Sequence, residues 1–101
     1  ILVGAGGVFV EILKDIKLAA VPVDQLKARK MIESLKMFPL FDGARGRPRA
    51  DLNALADIVC RVSLLAECLG PDLKELDINP VILRREGKGA KVVDARAVWK
   101  A

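Results

Sequence analysis

Asn79 and Asp94 stand at equal distances on either side of Glu86-Gly87, a pair suited to a tight turn. If the flanking segments pair as an antiparallel hairpin centred on that turn, the two residues are directly opposed. Their Cβ atoms then lie about 5 Å apart on one face. An amide carbonyl and a carboxylate at that separation are hard oxygen donors suited to Mg²⁺, which takes one or two protein oxygens and completes its shell with phosphates and water. So few protein ligands imply weak metal binding unless a nucleotide arrives with the ion. The alternative is that Asn79-Pro80 only begins a turn or an edge, and that Asp94 pairs with a nearby arginine. A bulge within Arg84–Gly89 would slip the register by one and separate the two side chains.

Three other groupings carry weaker signals. Arg45-Gly46-Arg47, with Arg49 close by, puts guanidinium groups on a glycine-containing loop, an arrangement that suits phosphate recognition or forms a solvated connection. Gly4-Ala5-Gly6-Gly7 fails as a dinucleotide fingerprint, because the third glycine would fall at Phe9 and a strand follows where a helix should begin. Close backbone approach at a tight turn accounts for it better. Glu11, inside an apolar run, needs an edge position or a cationic partner.

The chain has 101 residues and no histidine, which excludes a Ser-His-Asp triad, a Cys-His pair, His-ligated zinc or an internal phosphohistidine. Its 52% hydrophobic and 30% charged residues describe a globular chain, not a disordered one. One compact domain over residues 1–101 is expected, able to bury roughly two-thirds of its unfolded surface. Seventeen basic against thirteen acidic residues give a formal charge of +4, but the cations are dispersed and aromatics are only 4%, with no tyrosine. Stacking platforms for single strands are nearly missing, so a solvated basic surface is expected and no nucleic-acid partner.

Cys60 and Cys68 fall in one helix about 12 Å apart along its axis, beyond the reach of a disulfide at about 7 Å. Free thiols suggest a reducing, cytoplasmic setting. Glu11, Lys14, Asp15 and Lys17 interrupt the apolar start, so neither a signal peptide nor a membrane span is expected. The chain enters at Ile1 in an apolar run and reads as a piece of a longer protein.

The elements that position these groups follow from periodicity. Residues 8–13 read as a buried strand, and a second strand is expected at 17–21, ending at Pro22. Asp24 caps a helix over 25–37, with Leu26, Ile32 and Leu35 as its apolar spacing, stopped by Phe38-Pro39. Residues 39–50 form the longest irregular stretch. Asp51 caps the clearest helix, whose stripe is Leu52, Leu55, Val59, Val62, Ala66 and Leu69, closed by Gly70-Pro71. Residues 74–99 make the hairpin, with Leu76, Ile78, Pro80, Ile82, Val93, Ala95 and Ala97 on one face. The other face carries Asp77, Asn79, Asp94 and Arg96.

Three segments together resemble a known family. Gly4-Ala5-Gly6-Gly7-Val8-Phe9-Val10-Glu11-Ile12-Leu13-Lys14-Asp15, Pro39-Leu40-Phe41-Asp42-Gly43-Ala44-Arg45-Gly46-Arg47-Pro48, and Glu75-Leu76-Asp77-Ile78-Asn79-Pro80 followed by Val93-Asp94-Ala95-Arg96 are similar to motifs of NDP-forming (ADP-forming) acyl-CoA synthetases. They occur in order and cover nearly the whole chain. The resemblance implies the C-terminal part of an ATP-grasp domain, in an acetate–CoA ligase related to the succinyl-CoA synthetase beta subunit. The implied fold class is α/β (an α+β sandwich), a small, mainly antiparallel sheet with two helices packed on one face.

The implied reaction couples a carboxylic acid, CoA and ATP to acyl-CoA, ADP and phosphate through a phosphohistidine. Asn79 and Asp94 match the family's ligands for Mg²⁺ and ATP or ADP. Asp77 matches an acidic position near the docked phosphohistidine, and Arg47 a loop arginine with a phosphate role. The phosphohistidine, the CoA-binding domain and the first half of the ATP-grasp domain are implied partners outside this sequence, so the 101 residues alone are expected to be inert. Ala5 and Ala44 depart from the bulkier residues usual at their positions. Some relatives fuse this architecture to a protein-lysine acetyltransferase, which stands as an alternative parent. A non-catalytic basic interaction module is the rival from another class.

Overall fold

The computed structural model describes residues 1–6 and 16–101; the strand expected at 8–13 and Glu11 lie outside them. Two short strands, β1 (Leu2–Gly4) and β2 (Ile16–Leu18), pair antiparallel with Val3 opposite Lys17. The strand expected at 17–21 is thus shorter and starts one residue earlier.

Helix α1 runs over Gln25–Glu33, and the Asp24 carboxylate accepts from the Lys27 amide at 2.7 Å, as an N-cap should. It ends four residues before the sequence suggests. The Ser34 hydroxyl donates to the Lys30 carbonyl at 2.8 Å while its amide is shared between Lys30 and Met31, which tightens the last turn. Pro39 therefore terminates nothing. It sits in the first turn of α2 (Phe38–Phe41), where a missing N–H leaves no bond unmade. A 3₁₀ turn over Ala44–Gly46 follows, so the stretch expected to be irregular is largely turned backbone. Gly43 enters it at φ 96°, and a Cβ there would meet the Arg49 side chain at 3.0 Å. Only glycine folds this loop so closely onto itself.

Helix α3 spans Leu52–Leu69, capped by Asp51, and Gly70 closes it at φ 73°. Its most buried line is Leu52, Ala56, Val59 and Ser63, rotated by one position from the stripe the sequence suggests. That line meets Ala28, Met31 and Ile32 of α1 and Val23 to form the core. Ala28, Ile32 and Ala56 are completely enclosed, and small residues on both helices let the backbones approach. Leu26, expected in the core, is 64% exposed. Ser63 is buried because its hydroxyl accepts from the Val23 amide at 3.1 Å and donates to the Cys60 carbonyl at 2.8 Å. A polar group is thereby tolerated inside.

The C-terminal third is one long antiparallel ribbon in two sections. β3 (Leu73–Ile78) pairs with β6 (Ala95–Trp99), and β4 (Val81–Leu83) with β5 (Ala90–Val92). Leu76 faces Ala97, Ile78 faces Ala95 and Val81 faces Val92. This is the register centred on Glu86-Gly87. The irregularity in the ladder falls between Leu73 and Glu75, not in the turn. The apolar face differs from the expected one. Leu76 and Ile78 turn inward along β3, but Val81 and Leu83 do so along β4, leaving Ile82 at 51% and Val93 at 54% exposure. The parity changes across the cis Asn79–Pro80 bond. Among the described residues every strand pair is antiparallel and the two long helices pack together, which is the α+β arrangement the sequence suggests.

Candidate phosphate and metal site

Where β3 gives way to β4, and β5 to β6, the two interruptions lie opposite each other. The Asn79 amide donates to the Asp94 carbonyl at 3.0 Å, and the Val93 amide donates to the Pro80 carbonyl at 3.0 Å. These two bonds carry the ribbon across the break and set Asn79 directly against Asp94.

Both side chains are exposed. One Asp94 carboxylate oxygen accepts from the Ala95 amide at 2.8 Å, which fixes the carboxylate and leaves its second oxygen available. The arginine that could have neutralised Asp94 is engaged elsewhere. Arg96 donates to Glu75 at 3.3 Å, reaching diagonally past Asp77, its opposite partner across the ladder. Asp77 and Asp94 therefore form no ion pair among the described residues. An amide oxygen and an anchored carboxylate, both on exposed residues, are hard donors of the kind Mg²⁺ accepts. No group of three or more acidic, cysteine or histidine ligands forms among the described residues.

Asp77 and Asn79 border a cleft of about 750 Å³ between the ribbon and α3, whose helix wall includes Leu55, Val59 and Val62. Arg47 is elsewhere. It follows the 3₁₀ turn and lines a second cleft of about 520 Å³, together with Arg49, Arg84 and Arg85. Phe41 and Leu83 belong to both clefts, so the two adjoin without Arg47 and the Asn79–Asp94 pair sharing one chamber.

Asp51 ties these parts together. Its Oδ1 accepts from the Ala54 amide at 3.1 Å at the start of α3, and its Oδ2 accepts from the Gly89 amide at 2.7 Å in the hairpin. The Gly89 amide, then the Ala54 amide, holds the carboxyl below its ordinary value of 3.8, against the opposing effect of burial. Next to it the Asp51 amide donates to the Arg84 carbonyl at 2.8 Å, and the Glu86 amide donates to the Arg49 carbonyl at 2.8 Å. Sequence patterning identifies Asp51 as a cap and gives no sign of its second bond, because Gly89 is 38 residues away. Arg84 and Arg85 are likewise unremarkable in sequence until the loop is folded against them.

Cys60 and Cys68 are both free, as their spacing requires. No helix among the described residues is long and apolar enough to cross a membrane.

Residues 1–98 match the family model for the ATP-grasp domain. The chain is 47% identical over 100 residues to the acetate–CoA ligase [ADP-forming] II subunit beta of Pyrococcus furiosus, covering 99% of this chain and 42% of that one. A crystal structure of PH1788 from Pyrococcus horikoshii superposes with a TM-score of 0.91 at 42% identity, over 98% of this chain and 41% of that one. A Ca. Korarchaeum cryptofilum dinucleotide forming acetyl-coenzyme A synthetase 1 is similar at a TM-score of 0.87 and 35% identity, over 98% of this chain and 45% of that one. That structure holds coenzyme A and Mg-AMPPCP, with its phosphohistidine segment pointing towards the nucleotide binding site. The chain thus spans less than half the length of each of these relatives.

Proposed function

We propose that this chain, which belongs to the ATP-grasp domain family, supplies the C-terminal part of the nucleotide-binding domain of an ADP-forming acyl-CoA ligase. The parent joins a carboxylic acid to CoA at the expense of ATP, through a phosphohistidine carried on another part of the enzyme. Residues 1–101 act as one unit within it, in a reducing cytoplasmic setting to which the free thiols point.

Asn79 and Asp94 are the residues that would hold Mg²⁺ with the nucleotide. The ion supplies charge neutralisation and Lewis acidity at the phosphate oxygens. The Asp94 carboxylate offers its free oxygen, and the Asn79 amide oxygen adds a neutral donor across the ribbon. Asp77, two residues before Asn79 and free of Arg96, stands beside the incoming phosphohistidine and orients it by charge. Arg47 presents a guanidinium to phosphate from the adjoining loop. The observation that carries this reading is the direct opposition of Asn79 and Asp94, with Arg96 drawn away to Glu75.

The test is a comparison of the full-length protein with its Asn79→Ala and Asp94→Ala variants. Each variant is expected to lose Mg²⁺-nucleotide affinity and acyl-CoA turnover. Unchanged affinity and turnover in both variants reject the assignment.

A further inference from the structure

Four of the arginines described with their side chains have a carboxylate partner. Arg29 pairs with Glu33, Arg61 with Asp57, Arg96 with Glu75, and Arg49 with both Asp42 and Glu86. Arg47, Arg84 and Arg85 make no ion pair or side-chain hydrogen bond among the described residues. All three line the 520 Å³ cleft between the loop and the hairpin tip. Among the described residues, the arginines without a carboxylate partner therefore line one cleft.

The walls of that cleft are fastened together. Ala50 bridges Arg85, the Asp51 amide bonds the Arg84 carbonyl, and the Glu86 amide bonds the Arg49 carbonyl. Arg49 braces the same junction, with Nη2 2.8 Å from Asp42 and Nη1 3.4 Å from Glu86. Its charge is met within the fold. The three remaining guanidiniums come from two walls, Arg47 from the loop and Arg84 and Arg85 from the hairpin. Each offers a rigid fork of donors matched to an oxyanion.

We infer that this cleft is a phosphate-binding site, taking a phosphate dianion either as free inorganic phosphate or as the terminal phosphate of a nucleotide. A carboxylate has one charge and two oxygens and would leave part of the donor set unused. A phosphate dianion has three oxygens or more and twice the charge. The inference rests on the reading of Arg47 as a phosphate-facing arginine and adds Arg84 and Arg85, which no feature of the Asn79–Asp94 pair involves.

The test uses the full-length protein, its Arg84→Gln/Arg85→Gln double variant and its Asn79→Ala variant. Each is titrated calorimetrically with inorganic phosphate, ADP and adenosine in the absence of Mg²⁺. Both arginines are exposed and contribute to the fold through backbone atoms, so circular dichroism should show the double variant folded. Loss of two charge-assisted contacts should weaken phosphate or ADP binding by about tenfold or more, with adenosine binding poorly throughout. Weakening of phosphate, with ADP displacing it, assigns the nucleotide as the source; weakening of phosphate that ADP does not displace assigns the free ion. Asn79→Ala should leave phosphate affinity intact, so the metal assignment and this one fail separately. Unchanged phosphate and ADP affinity in the double variant, no wild-type affinity for either, or adenosine binding as tightly as ADP would overturn the inference.

Discussion

The Asp51 carboxylate accepts the Gly89 amide at 2.7 Å, joining the first turn of α3 to the hairpin 38 residues later. Its other oxygen caps the helix through Ala54. One side chain therefore ties the start of the main helix to the ribbon that carries Asn79 and Asp94. Asp51→Ala should lower the thermal midpoint by several degrees and speed amide exchange at both Gly89 and Ala54. Asp51→Asn keeps one acceptor and should fall between. Exchange at Gly89 that does not change in Asp51→Ala would show that the second bond contributes nothing.

The same carboxylate gives the fold an acid limit. Its folded pKa lies below 3.8, so the ionised form is favoured in the native state. That contribution is complete above the ordinary carboxylate range and is lost as pH falls through the folded value. Thermal unfolding of the full-length protein followed from roughly pH 5 to pH 3 should show a decline that is shallower in Asp51→Asn. Identical slopes would assign the acid sensitivity to other groups.

Ile32 is fully enclosed between α1 and α3, whereas Leu26 on the same helix is 64% exposed. Ile32→Ala should cost about 2–5 kcal/mol by creating a cavity that packed helices cannot refill. Leu26→Ala should stay within about 0.5 kcal/mol. Urea unfolding midpoints of the two variants distinguish the sites.

Removal of the metal provides an independent check on Asp94. If Asp94 is a ligand, chelation of Mg²⁺ should weaken ADP binding about tenfold in the wild type. It should weaken it little further in Asp94→Asn, since residues acting through one ion are not additive. A full response to chelation in the variant would remove Asp94 from the ligand set.

Much of this arrangement is legible in the sequence because it is local. Asp24 and Asp51 announce helix starts, Gly70 announces an end, and a glycine turn with alternating apolar residues gives the register of the ribbon. What escapes sequence reading depends on contacts between distant segments. The end of α1 is decided by Ser34 folding back on Lys30. The inward side of the ribbon changes between Ile78 and Val81, which strict alternation cannot anticipate. Ser63 looks misplaced in an apolar helix until Val23 is seen to need its oxygen. For the candidate site, the pairing of Asn79 with Asp94 follows from counting outward from the turn. The withdrawal of Arg96 to Glu75 does not, because the ladder puts Asp77 directly opposite it.

Phe41 and Leu83 have a further consequence, since each contributes to both clefts. They stand where the arginine-lined cleft meets the one that runs beside Asp77 and Asn79. Two hydrophobic groups, with no charge of their own, thus mark the border between a cationic surface and a prospective metal centre in one small domain.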